Sequence, residues 1–194
     1  MMRVWKFFAL LPLMLGTTVS FGVQNVGGLL IDYQPAFQEN VAKAQSWKSK
    51  MAPEMQAMLR QFQIFEAAGS AGIQEVRLMK LKYNSKIRGS IDEAASESVS
   101  NIVRLPGIKN PKQNIVPTRV SGREARRVSF ESGRYDGKLG AEFLIVQDNA
   151  GQSFYQLQMI FSKGPGLNPL ASLDLQEERT FARKTLDSVQ LEKP

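Results

Sequence analysis

The sequence predicts an α+β fold, in which amphipathic helices cover an antiparallel β-sheet and a helical segment precedes it. Four segments have the alternation or the apolar content of strands, and they are 73–83, 119–131, 139–147 and 153–162. Two segments, 90–103 and 174–189, place apolar residues at helical spacing. Because an antiparallel meander must bury its apolar face, these helices are expected to cover it. The hydrophobic content of 43% is sufficient for a packed core.

The N-terminus has the layout of a secretory signal peptide. Arg3 and Lys6 precede an apolar run at 7–15, and the small residues that follow suit cleavage after Gly22. Cleavage after Ser20 fits nearly as well. A retained membrane anchor is the alternative, but the apolar run has about nine residues, whereas a spanning helix needs roughly 20. We therefore expect a periplasmic or secreted protein that contacts a membrane only if the signal peptide is not cleaved.

Residues 23–72 are predicted to be a helical segment in front of an α+β domain at 73–194. The stretch 23–35 is expected to be irregular, a first helix is expected at 36–50, and Pro53 is well placed to begin a second one. The second helix would carry an apolar stripe formed by Met55, Met58, Leu59, Phe62 and Phe65. Such a stripe can dock a partner, but it is more often part of the core.

Local signals define the ends of several elements in the α+β region. Ser90-Ile-Asp-Glu93 is a capping-box sequence and predicts a helix that ends at Leu105-Pro106-Gly107. The segment 139–147 is apolar on both faces, which indicates a central strand. Asp148–Gly151 is typical of a hairpin turn, and its oxygen ligands lack the spacing of a calcium-binding loop. Asp174 is predicted to cap the last helix.

The chain contains neither histidine nor cysteine, which narrows its possible chemistry. Histidine-based triads and cysteine nucleophiles are excluded, as are the usual ligand sets for zinc, copper and haem. Cysteine-dependent lipidation is excluded as well. We expect no cofactor, no metal and no catalytic residue set, although carboxylate, lysine, tyrosine or serine chemistry remains open to an enzyme.

Positive charge is concentrated in the segment 104–138. The full chain has a formal net charge of +7, and loss of the signal peptide leaves about +5. The basic residues of the segment are Arg104, Lys109, Lys112, Arg119, Arg123, Arg126, Arg127, Arg134 and Lys138. Its acidic residues are Glu124, Glu131 and Asp136. This excess indicates either an anionic partner or a basic sheet face that serves only solubility.

Three arginines of this segment are the candidate binding residues. If 119–131 is one regular strand, Arg119, Arg123 and Arg127 share a face, with roughly 13 Å between successive residues. That spacing favours an extended acidic surface over a small ligand. A bulge at Gly122 would break this register.

The order of elements from residue 73 resembles the α/β/α sandwich of PsbP-like proteins. The resemblance covers about residues 73–193 and includes Ser90–Ala95 at the start of a helix, Val120–Arg126 entering a strand, and Phe181–Val189 near the C-terminus. The family includes photosystem extrinsic subunits, a Ran-binding import factor and bacterial envelope proteins, most of them binding or assembly factors. The resemblance implies a sheet between helical layers and no shared catalytic residues.

Together these observations predict an exported, non-catalytic protein that binds an acidic protein of the envelope. A carboxylate-based hydrolase is one alternative. A carrier that holds an apolar ligand between the sheet and the N-terminal helices is another. Nucleic acid is not an expected partner, because the chain lacks an aromatic and basic signature for it and is predicted to be exported.

Overall fold

The computed structural model describes residues 22–26, 28–33, 37–67, 73–83, 89–134, 137–148, 150–163 and 174–192. These residues form four helices: α1 (Val41–Ser49), α2 (Pro53–Met58), α3 (Ile91–Val103) and α4 (Gln176–Asp187). They also form ten strands: β1 (Gly22–Val26), β2 (Leu29–Tyr33), β3 (Phe37–Glu39), β4 (Leu59–Ala67), β5 (Ile73–Lys82), β6 (Ile108–Val120), β7 (Arg123–Arg134), β8 (Gly137–Gln147), β9 (Ser153–Lys163) and β10 (Gln190–Leu191). The signal peptide predicted for residues 1–22 lies outside the described residues, except for Gly22.

Seven strands form one antiparallel sheet in the order β3-β4-β5-β9-β8-β7-β6. A second antiparallel sheet has the order β1-β2-β10 and joins the two ends of the described chain. The predicted α+β class with antiparallel pairing is therefore confirmed. Among the described residues, no helix has the length and apolar character needed to cross a membrane.

The N-terminal region differs from the helical segment expected there. Residues 23–35 were expected to be irregular, but β1 and β2 form a hairpin within that stretch. The helix predicted at 36–50 is found as the shorter α1. The helix begun by Pro53 ends at Met58, and 59–67 is strand β4, paired with β5. The predicted helical stripe is therefore wrong beyond Met58, because hydrogen bonds to β5 give this segment an extended partner that outweighs its helical spacing.

Helix α3 begins where the capping sequence predicts. The Ser90 hydroxyl oxygen accepts hydrogen bonds from the backbone N–H groups of Asp92 and Glu93, at 3.2 and 3.4 Å. The acidic residues of its first turn also suit the positive end of the helix dipole. Its apolar side packs on the sheet through Ile91 and Val99, both almost fully buried.

The central strands of the large sheet are buried on both faces, and each face takes the name of the helix that covers it, α3 or α4. The α3 face holds Val128, Phe143 and Phe154 under α3, with Met55 and Met58 of α2 packed at its margin. The α4 face is covered by α4 and by the small sheet, and its core includes Leu144, Leu157 and Ala182, together with Val76, Leu78, Val146 and Met159. Strand β8 lies inside the sheet and contributes to both cores, which confirms its predicted central position.

Candidate functional site

A tight turn divides the segment that was predicted to be one strand from 119 to 131. Ser121 and Gly122 have φ angles of 49° and 80°, and Val120 pairs with Arg123 across them. Positive φ at both central residues is the signature of a type I′ hairpin turn. The described chain therefore has two antiparallel strands here, β6 and β7, where the sequence suggested one.

The turn also separates the three candidate arginines. Arg119 lies on β6 opposite Glu124, whereas Arg123 and Arg127 lie on β7. Because a two-residue loop places Val120 and Arg123 on the same face, side-chain parity reverses across it. Arg119 consequently falls on the α3 side and the other two on the α4 side. The prediction of a shared face is wrong, while their binding of an acidic partner stays a prediction.

Ion pairs within the chain engage part of the basic segment. Arg126 holds Asp92 of α3 with two hydrogen bonds, at 2.6 and 2.9 Å. This contact lowers the pKa of Asp92 and raises that of Arg126. Arg127 pairs with Asp187 at 2.6 Å, and Lys138 lies 3.8 Å from Glu131. These ion pairs link helices and strands to one another. Because each of these cations is paired with a carboxylate, it contributes less to the positive electrostatic potential at the surface.

Four exposed cations of this region form a group that we name the basic edge: Arg104, Lys109, Lys112 and Arg119. Arg104 follows α3, and the other three lie on β6, an outermost strand of the large sheet. The stretch 98–123 contains no aspartate or glutamate. No carboxylate of the described residues lies within ion-pair distance of Arg104, Lys109 or Lys112. Among the described residues, Arg104, Lys109 and Lys112 are therefore exposed cations without a carboxylate in contact, while Arg119 lies opposite Glu124 in the ladder.

A cleft of about 350 Å³ opens between α3 and β6, beside the basic edge. Val99, Ser100 and Val103 line it from α3, Arg104 lines it just after that helix, and Gln113 and Ile115 line it from β6. Val99 is buried at its base, whereas Val103 keeps 38% of its surface exposed. The cleft thus combines an apolar base with a guanidinium at its rim, which suits side chains of mixed polarity.

A second polar cluster, absent from the sequence-based prediction, lies beneath α4. Glu142 of β8 is fully buried and accepts a hydrogen bond from the Ser129 hydroxyl at 2.7 Å. Its carboxylate also contacts Arg179 at 3.2 Å and Arg183 at 3.3 Å. Arg179 reaches on to Glu131, at 2.8 Å. The sequence signals for this cluster are a lone glutamate within an apolar strand and two arginines one helical turn apart.

Burial raises the pKa of Glu142, and the Ser129 hydroxyl and the arginines only partly offset it. Because the folded state binds this proton more tightly than the unfolded state, protonation of Glu142 stabilises the fold. This contribution to the free energy of unfolding is fully present below the ordinary pKa of 4.5 and is lost as pH rises through the raised pKa.

We expect the free energy of unfolding of wild type, minus that of Glu142→Gln, to fall as pH rises above 4.5 and then level off. Urea denaturation of both proteins between pH 4 and 8 measures this difference, and an increase with pH would contradict the assignment.

Other candidate features have structural roles. Asp148 closes the β8–β9 turn as predicted, because its carboxylate accepts hydrogen bonds from the N–H groups of Gln152 and Ser153. Asp174 accepts one from the N–H of Gln176, at the start of α4. No group of three or more acidic, histidine or cysteine side chains suited to a metal is found within the described ranges. Asn149, the other polar residue of the turn, lies outside them.

The chain matches no protein-family model and no curated protein. Among solved structures, it is similar to PA94 from Pseudomonas aeruginosa, a protein of unknown function. The alignment has 11% sequence identity and a TM-score of 0.46, and covers 69% of this chain and 84% of that one.

Proposed function

We propose that this is an exported, non-catalytic protein that binds an acidic protein partner in the cell envelope. The observation that carries the proposal is the basic edge, where four exposed cations lie on one margin of the sheet with no carboxylate between residues 98 and 123. Positive charge of this kind accelerates association with an acidic surface and disfavours association with a basic surface. The proposed binding surface is the basic edge, which includes Arg119 but not Arg123 or Arg127. It takes the place of the shared arginine face that was predicted from the sequence.

Two further considerations support the proposal. The signal peptide predicted from Arg3, Lys6 and the apolar run at 7–15 would deliver the chain to the envelope. The order of helices around an antiparallel sheet also suits the PsbP-like sandwich, whose known members mostly bind or assemble other proteins. We extend that role to this chain as part of the proposal.

The buried polar cluster suits a structural role better than a hydrolytic one. Glu142 has no exposed surface and contacts two arginines of α4, so a substrate would have to displace the helix to reach it. Met55 and Met58, expected beside an apolar ligand in the carrier hypothesis, instead pack against the α3-face core. Binding at the basic edge requires neither displacement of α4 nor opening of the core beside Met55 and Met58.

Export is tested by the N-terminus of the mature protein. We expect N-terminal sequencing of the exported chain to begin at Val23, or at Phe21 if cleavage follows Ser20. Leu11→Arg should block export, because a charge in the middle of a short apolar run abolishes the signal. Intact Met1 on the exported protein would contradict this part of the proposal.

Partner binding is tested with two charge-matched variants. The edge variant carries Arg104→Gln, Lys109→Gln, Lys112→Gln and Arg119→Gln. The control variant removes the same number of exposed cations elsewhere, through Lys48→Gln, Lys50→Gln, Arg60→Gln and Lys184→Gln. Both lose the same net charge, so general electrostatic attraction falls equally.

Wild type and the control variant are expected to retain one acidic protein from envelope extract at low salt and to release it at high salt. The edge variant should bind it at least about fourfold more weakly, since it loses four exposed pairs that contribute about 0.2–1 kcal/mol each and 1.4 kcal/mol corresponds to a factor of ten. Equal loss in both variants would mean that net charge alone is responsible, and the basic edge would then serve only solubility.

A further inference from the structure

We infer that the acidic partner docks as an extended segment that adds a strand to the outer margin of β6. This inference rests on the proposed function and specifies its mode of binding. Within the described part of the chain, β6 pairs with β7 alone, and most of its 13 residues are exposed. An outermost strand of this length presents a row of backbone groups that can pair with another chain.

The turn determines which backbone groups of β6 face outward. Val120 and Arg123 flank the two-residue loop and form a hydrogen-bonded pair, so alternate residues back along β6 bond to β7. Gln113, Ile115 and Pro117 occupy the other positions, where backbone groups face away from β7. Pro117 fits this assignment, because its missing N–H costs the β6–β7 ladder nothing.

Two prolines limit the segment that a partner can pair with. Pro111 lies in the irregular part of the ladder, between Lys109 and Lys112, and Pro117 lacks an outward donor. The five residues between them, 112–116, retain complete backbone groups at the outward positions Gln113 and Ile115. The side chains of these two residues line the cleft against α3. A short added strand would therefore lie beside the cleft and direct every second side chain over Val103 and Arg104.

Charge identifies the class of segment that fits. Self-pairing of two β6 strands would bring two basic edges together, with no carboxylate from 98 to 123 on either copy to offset them. An acidic strand instead places its carboxylates beside Lys109 and Lys112, which lie on the α4 side of the edge, opposite the cleft. The apolar base of the cleft at Val99 and Ile115 adds a requirement for apolar residues at alternating positions. The expected ligand is an extended protein segment in which acidic and apolar residues alternate.

The probe is a synthetic ten-residue peptide of alternating glutamate and valine, titrated against the mature chain at low salt. Its counterpart carries esters in place of four central amides, which removes donors while keeping charge and side chains. On the protein, Gln113→Pro removes one outward N–H, and Gln113→Ala is the matched control for the exposed side chain. Thermal unfolding of both variants verifies that the fold is intact.

We expect Gln113→Pro to bind the peptide about three- to tenfold more weakly than Gln113→Ala, the effect of one hydrogen bond. The ester peptide should bind wild type more weakly than the amide peptide. Equal binding in both comparisons, or no binding of the amide peptide, would overturn strand addition. The proposed function would still stand if the edge variant alone lost the acidic envelope protein. A wild-type dimer that Gln113→Pro dissociates would make a second copy the occupant and would also overturn the inference.

Discussion

Replacement of Phe143 by alanine is expected to lower the free energy of unfolding by about 3–5 kcal/mol, the largest effect predicted for this protein. Phe143 is fully buried on the α3 face of β8, between Val128 of β7 and Gln158 of β9. The variant loses the transfer free energy of the ring and leaves a cavity. The surrounding strands can close this cavity only in part, because they are hydrogen-bonded on both sides.

Chemical denaturation measures this change, with Val116→Ala as the control. Val116 lies in the same sheet but keeps 45% of its surface exposed, so its truncation should change the free energy of unfolding by less than about 0.5 kcal/mol. A change below about 1 kcal/mol for Phe143→Ala would be inconsistent with burial between the sheet and α3.

Gly140→Ala is expected to destabilise the fold by about 1–3 kcal/mol, because the α4 face has no room for another methyl group. A Cβ atom at Gly140 would lie 2.8 Å from Cδ2 of Phe161, closer still to Cε2, and 3.0 Å from Cδ1 of Leu175. Phe161 is fully buried in the core and cannot turn aside without displacing its neighbours.

Gly133→Ala provides the matched control, since Gly133 also lies in an inner strand of the sheet. Its Cβ would meet Lys109 at 3.5 Å, which is an ordinary contact. We expect its stability to be unchanged or slightly raised, because alanine restricts the unfolded chain more than glycine does. Similar losses in the two variants, measured by urea denaturation, would show that backbone propensity rather than crowding governs Gly140.

The sequence by itself determined the elements whose signals are local. Ser90 caps α3 through groups two and three residues away, and Asp148 closes its turn through groups four and five residues away. The apolar content of 139–147 also indicated a strand covered on both faces. Such signals can be read from neighbouring residues because the atoms that satisfy them are nearby in the chain.

Only the tertiary structure decided the features that depend on distant partners. Residues 59–67 have helical spacing but form a strand, because β5 supplies their hydrogen bonds. Arg119 is separated from Arg127 because the chain turns at Ser121, and the alternation on either side hides that turn. Glu142 is tolerated in a core strand because α4, more than 30 residues later in the chain, brings two arginines to it. Long-range pairing and burial decide these cases, since their energies exceed the local preferences that a sequence displays.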